Sequence, residues 1–355
     1  MKKEAFTFLQ ELVEAPSPSG YEQPAQRVFR KHVESATDSL ETDVMGNVIG
    51  RISGADEYAP KMMLAGHCDE IGFMVKYVDE NGFLFFAPIG GVDAHLVPGQ
   101  RVDVHTASGP IRGVVGKKPI HLMEAKEREV VVKFKDQYID IGCPDKASAE
   151  KLVSIGDPVT FSVGLERLQG ERVASRAFDD KMGAWIVARV LQEVAKKTPP
   201  VHFYGVSTVQ EEIGLRGATT SSYGIDPDVG IAVDVGFSSD APGLVMQEIG
   251  ELSLDKGPII ARGANINPVL FDLLVSTARE EGIPYQVSGI PRATGTDANV
   301  MQLARSGVAT ALISVPLRYM HSPSEVLSLA DLENTVRLLT AIVYRVTDKN
   351  MFIPN

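Results

Sequence analysis

Cysteine is scarce in this chain. Only Cys68 and Cys143 occur among 355 residues, too few for the disulfide frameworks that hold small secreted folds, so a reducing compartment is the natural setting. Long apolar runs are missing as well. Nothing approaches the roughly 20 consecutive apolar residues of a membrane span, and the N-terminus turns acidic at Glu4 with no signal-peptide core. Positive charge is in deficit, with 35 Lys and Arg against 46 Asp and Glu and a formal net charge of −11. Nucleic-acid surfaces and anionic membranes need clustered Lys and Arg, so neither is an expected partner. Internal repeats and low-complexity segments are absent too. These gaps predict a soluble, cytoplasmic protein, and the acid excess suits one that holds cations. With 44% hydrophobic and 23% charged residues, the chain can bury a core and build one large domain or two ordinary ones.

What is present has three textures. Residues 3–15 and 24–36 carry apolar positions at helical spacing (Phe6, Leu9, Leu12, Val13, then Val28 and Val33), with a Pro/Ser/Gly break at 16–20. A short apolar run at 61–66 reads as a buried strand closed by His67. From 71 to 163 the pattern turns β-rich, with runs at 73–78, 83–86, 101–105, 111–115 and 129–134 and a single helical stretch near 146–153. Asn81-Gly82 and Ser108-Gly109 punctuate these runs, and Asn-Gly between apolar segments is a strong hairpin signal. After Arg176 helices and strands alternate: helix 181–197, strand 201–209, a helix beginning near Gly214, strand 229–233, helix 268–281, strand 309–315 and helix 329–346. This alternation predicts an α/β fold with a doubly wound sheet, interrupted by a small β-rich domain.

Five possible metal donors stand at the ends of these runs: His67, Asp180, Glu212, Asp234 and His321. Open α/β sheets gather their chemistry at the carboxyl ends of their strands. Each residue alone has a plain structural explanation. A lone His67 is more often satisfied by a backbone carbonyl, Asp180 before a helix is more often a cap, and Glu211-Glu212 is often solvated charge. Their neighbours change the balance. Asp69 follows His67 by two residues, as the carboxylate partner of a metal-bound imidazole does. One cap needs only one of Asp179 and Asp180. Two imidazoles, three carboxylates and a spare glutamate are what two divalent cations and an activated water require. The mixed His/carboxylate set suits zinc first, with cobalt or manganese as feasible substitutes. His32, His95, His105, His121 and His202 lack a comparable acidic context and read as structural or exposed. Cys68 reads as a small buried hydrophobe, and the serines at 17 and 19 lack the glycine spacing and lysine of a phosphate loop.

The motifs that carry these residues resemble a known family. They are Ser17-Pro18-Ser19-Gly20-Tyr21-Glu22, Ala65-Gly66-His67-Cys68-Asp69-Glu70-Ile71-Gly72, Ala177-Phe178-Asp179-Asp180-Lys181, Gln210-Glu211-Glu212-Ile213-Gly214, Val233-Asp234-Val235-Gly236, Thr296-Asp297-Ala298 and Tyr319-Met320-His321-Ser322-Pro323. Taken together, and nearly end to end, the chain resembles the tetrahedral (TET-type) dinuclear-metal aminopeptidases, which include glutamyl, leucyl and deblocking enzymes. The resemblance implies a zinc-peptidase-like mixed sheet with helices on both faces over 1–70 and 164–355. It also implies a PDZ-like or barrel dimerisation domain over 71–163, and six dimers forming a tetrahedral dodecamer. It makes Asp180 the carboxylate bridging both metals, with His67 and Asp234 on one, Glu212 and His321 on the other. Glu211 becomes the general base and Asp69 the partner of His67. Short peptides are the implied substrates.

Other readings remain open on the sequence. One keeps the metals but cleaves small N-acyl substrates, as an amidohydrolase or deacylase. Another uses the paired acids without metal, as glycosidases do. A third treats the β-rich block as a binding module on an inactive scaffold. Arg262 and Arg292 could neutralise an acidic first side chain or could be ordinary solvated arginines.

Overall fold

The computed structural model describes residues 1–354. Helix α1 (Lys3–Glu14) buries Phe8, Leu9, Leu12 and Val13 on one face, and α2 (Gln23–Val33) begins with a proline that presets its first turn. The antiparallel pair β1 (Ser39–Thr42) and β2 (Val48–Ile52) follows, then the almost wholly buried β3 (Lys61–His67).

The chain next leaves the main body. Strands β4 (Gly72–Val78), β5 (Leu84–Ile89), β6 (Arg101–Thr106), β7 (Gly109–Gly116), β8 (Tyr138–Asp140) and β9 (Pro158–Phe161) close a barrel in the order β4-β5-β8-β7-β6-β9. Closure leaves no free sheet edge. The barrel has its own core, in which the Phe73 ring meets Phe86 and Phe161 edge-on at 5.0 and 5.3 Å. At the β6–β7 hairpin Gly109 takes a φ of +114°, which a side chain disfavours. One expected strand is missing. Residues 129–134 run irregularly between two short 3₁₀ turns, with Val130 and Val131 exposed. β-branched residues favour a strand only where a neighbour pairs with them, and none does here. The short helix α3 (Lys146–Glu150) is capped by Asp145, which accepts from the Ser148 N–H.

Back in the main body come β10 (Glu166–Arg167), β11 (Arg172–Ser175), α4 (Phe178–Val194), β12 (His202–Thr208), α5 (Arg216–Ile225) and β13 (Val229–Phe237). They are followed by α6 (Met246–Ile249), β14 (Ile259–Gly263), α7 (Pro268–Glu280), β15 (Gln286–Ile290), α8 (Asp297–Met301), β16 (Ala309–Leu317), β17 (Glu325–Ser328) and α9 (Leu329–Val343). The large sheet is mixed, ordered β1-β2-β12-β3-β13-β16-β14-β15, with β12, β3, β13 and β16 parallel at its centre. Helix α4 is buried nearly all round and packs on the sheet beside α1, α2 and α9, while α5 and α8 pack together against β3. A small sheet of β10, β11 and β17 stands apart. The architecture is therefore a mixed α/β sheet carrying a separate six-stranded barrel. Among the described residues no helix is long and apolar enough to cross a membrane.

Candidate metal centre

The parallel strands deliver their side chains to one place. His67 ends β3 directly opposite Thr208 at the end of β12, and β12 leads on to Glu211-Glu212. β13 pairs with β3 only as far as Ala232 opposite Ala65, then continues along β16, where Asp234 faces Ser314. The two strands therefore part at their carboxyl ends and leave a crevice. Beyond β16, Tyr319 and His321 both adopt left-handed backbone conformations (φ 60° and 59°). Such conformations cost of order 1–3 kcal/mol each and persist only where surroundings hold them. The buried Glu325 carboxylate is one such restraint. It accepts from His321 N–H at 3.0 Å and from Asp179 N–H at 3.1 Å.

Helix α4 supplies the remaining acids before its regular turns begin. Asp179 and Asp180 are both non-helical within its first turn, and the peptide joining them is cis. Asp180 Oδ2 accepts from the His67 N–H at 3.1 Å. That approach depends on two glycines. A Cβ on Gly66 would lie 2.5 Å from the Gly183 carbonyl carbon, and one on Gly183 would overlap the Asp180 carboxylate.

The sequence-derived candidates gather here. His67, Asp180 and Asp234 form one cluster; Asp179, Glu212 and His321 form a second. Asp179 joins them: its two oxygens lie 3.4 Å from His67 Nε2 and 3.2 Å from His321 Nε2. Glu212 is 3.6 Å from His321 Nε2 and Glu211 is 3.7 Å from His67 Nε2. Asp179 thus lies between the two imidazoles. The successive side chains of Asp179 and Asp180 diverge. Asp180 turns toward the His67 backbone and Asp234.

Both rings are fixed from behind. His67 Nδ1 lies 3.0 Å from the Asp69 carbonyl oxygen, and His321 Nδ1 lies 2.8 Å from the carbonyl of Gly91, in the barrel. Nδ1 engaged in this way turns Nε2 into the crevice as the free donor atom. The Asp69 carboxylate does more than partner His67. It accepts from the backbone N–H groups of Glu211 and Glu212 at 3.0 and 3.1 Å and from the Ser19 hydroxyl at 2.7 Å. Cys68, between these residues, is fully buried, and burial pushes its thiol well above the usual range.

Charge is crowded. Burial first, and then neighbouring acids, raise Glu211 to about 9, Glu212 to about 8 and Asp234 to about 8. Asp180 is raised as well, by burial and then by Asp234. Asp179 goes the other way, to about 2, because its bonds to His321 and His67 overcome its burial. Burial opposes protonation of His67, yet Glu211, Asp179 and Asp69 raise it. His321 rises to about 10, chiefly through Asp179. Protons alone thus balance this cluster poorly. Asp180 Oδ1 and Glu212 Oε1 are buried without a hydrogen-bond partner, an expensive state for an acceptor. The donor set and its orphaned oxygens fit divalent cations.

Two residues here escaped the sequence reading, Asp179 as a donor and Glu325; Asp297, quoted there only within a motif, is buried and accepts from the Thr208 hydroxyl at 2.6 Å. An acid immediately before the apolar Val326-Leu327 was the available signal for Glu325. The crevice opens into a cavity of about 640 Å³ lined by residues including Glu211, Leu215, Val235, Thr294, Asn299 and Met320. Neither Arg262 nor Arg292 lines it.

Residues 46–338 match the M42 glutamyl aminopeptidase family. The chain belongs to that family. It is 38% identical over 340 residues to the lysyl aminopeptidase of Pyrococcus furiosus, covering 94% of this chain and 95% of that one. Among solved structures, the TET aminopeptidase of a marine-sediment thaumarchaeon superposes with a TM-score of 0.93 at 32% identity, covering 99% of both chains. The Pyrococcus horikoshii TET1 peptidase, which can assemble into a tetrahedron or a large octahedral shell, gives a TM-score of 0.85 at 29% identity. It is covered over 99% of its length and 96% of this chain. This M42 chain is an aminopeptidase of TET type, and the crevice just described is its candidate active site.

Proposed function

We propose that this M42 peptidase removes residues from the free N-terminus of short peptides with a pair of divalent cations, zinc before cobalt or manganese, bridged by Asp179. His67 and Asp234, with Asp180 beside them, would hold one ion; Glu212 and His321 would hold the other. One observation carries this reading: a single carboxylate lies beside two imidazole nitrogens that face into the crevice. Bound there, such ions supply Lewis-acid polarisation of the scissile carbonyl and a water acidified toward neutrality.

The chain's own groups do the rest. Glu211 is nearly buried, opens on the cavity and has its backbone N–H held by Asp69. Its Oε2 is the proton acceptor for the attacking water and returns that proton to the leaving amine. Nearby positive charge lowers a carboxyl raised by burial, bringing Glu211 toward the working range. Asp69 aligns three things at once, the His67 ring and the backbones of Glu211 and Glu212. Chelator treatment should abolish cleavage of aminoacyl-nitroanilides, and zinc, cobalt or manganese should restore it. Undiminished turnover by metal-free protein, or hydrolysis confined to N-acyl amino acids, contradicts the proposal.

The same reading takes 71–163 as a dimerisation domain inserted between 1–70 and 164–355. The exposed Ile120, Leu122 and Val130 on the barrel support it, because apolar surface of this kind marks contact sites. Dimers would then build a tetrahedral dodecamer, as expected from the assembling P. horikoshii relative. Light scattering should give the mass of twelve chains; a monomer at micromolar concentration would refute the assembly. Two free thiols, one buried and one half-buried, are consistent with the cytoplasm.

A further inference from the structure

The family name and the P. furiosus relative point to opposite charges on the first substrate side chain. The cavity of this chain fits neither. We propose that it selects neutral, chiefly apolar first side chains such as leucine and methionine, and rejects acidic ones; this rests on the aminopeptidase reading above.

Composition of the wall is the first argument. Leu215, Val235, Phe237 and Met320 give it apolar surface, while Thr294 and Asn299 give it neutral polar surface. No lysine or arginine lines it. Arg262, one of the two sequence candidates for an acid-binding cation, has its guanidinium 5.3 Å from the Phe271 ring centroid instead. A glutamyl carboxylate entering this cavity would lose water and gain no cation to replace it.

Net charge is the second argument. Asp179, Glu211, Glu212 and Asp234 line the cavity, with His321 as the one imidazole, and Asp69, Asp180 and Asp297 lie buried close behind. Acids outnumber the one imidazole on this wall, and a second carboxylate brought among them gains no lysine or arginine partner. A lysyl side chain meets no such disadvantage. Yet every acid in the wall belongs to the proposed metal and proton machinery, so none is left to pair with its ammonium. Methylene burial then decides in favour of leucine and methionine.

The test uses the zinc-loaded full chain with leucyl, methionyl, lysyl and glutamyl nitroanilides. Calorimetric binding of the free amino acids adds a measurement independent of turnover. Leucine and methionine should lead lysine in both, with glutamate last and below leucine by about 10²-fold or more in kcat/KM. Asn299→Arg, which puts a cation in the wall, should raise the glutamyl-to-leucyl ratio by about tenfold or more. Phe237→Arg, at the more exposed rim, should do the same to a smaller degree and guards against a misfolded first variant. Glutamyl or lysyl substrate leading the panel overturns the selectivity while leaving the aminopeptidase intact. Cleavage of N-acyl amino acids alone overturns both.

Discussion

Asp179→Ala should abolish tight binding at both proposed metal positions, whereas Asp180→Ala should weaken chiefly the one beside His67 and Asp234. The asymmetry follows from where the oxygens point. Asp179 offers one to each imidazole at 3.4 and 3.2 Å; Asp180 spends Oδ2 on the His67 backbone, keeps Oδ1 without a hydrogen-bond partner and clusters with His67 and Asp234. Losing an outer hydrogen-bond partner of a metal ligand typically costs about 10–100-fold in affinity. Removing a carboxylate shared by two ions should exceed that at each position. Metal titration calorimetry on both variants reads the difference. Equal losses, or an Asp180→Ala protein that alone empties both positions, would make Asp180 the bridge.

Glu211→Gln should keep both ions and lose turnover by about 10²–10⁴-fold, the usual contribution of a positioned acid–base group. Glutamine preserves the shape of the side chain and the backbone bond to Asp69, but its amide accepts no proton at pH 7. Elemental analysis gives the metal content and nitroanilide assays give kcat. Near-normal turnover in a fully loaded variant removes Glu211 from the mechanism. A variant that fails to load would instead make it a ligand.

These two residues also show how far the sequence could be read. His67, Glu212, Asp234 and His321 were legible because each closes or follows an apolar run, and parallel strands bring such ends together. The place of Asp179 between the two imidazoles was not, since it depends on two backbone conformations that break helical periodicity before α4 becomes regular. Glu325 was hidden for another reason. Its role is to accept from two backbone N–H groups far apart in sequence, and only the folded chain brings them within reach. The barrel was visible from its hairpins, but the run at 129–134 was misread because strand propensity says nothing about a missing neighbour. The sheet's outer strands, β1, β2, β14 and β15, are not legible in the same way: each has only four or five residues, and glycine, charged or polar residues interrupt the apolar pattern.

The account stands on a shared pair of cations, and anomalous diffraction from zinc-loaded crystals examines it most directly. Two peaks per chain, with the Asp179 carboxylate between them and His67 and His321 on opposite sides, are the predicted result. A single peak, or two peaks with Asp179 coordinating neither, would contradict it.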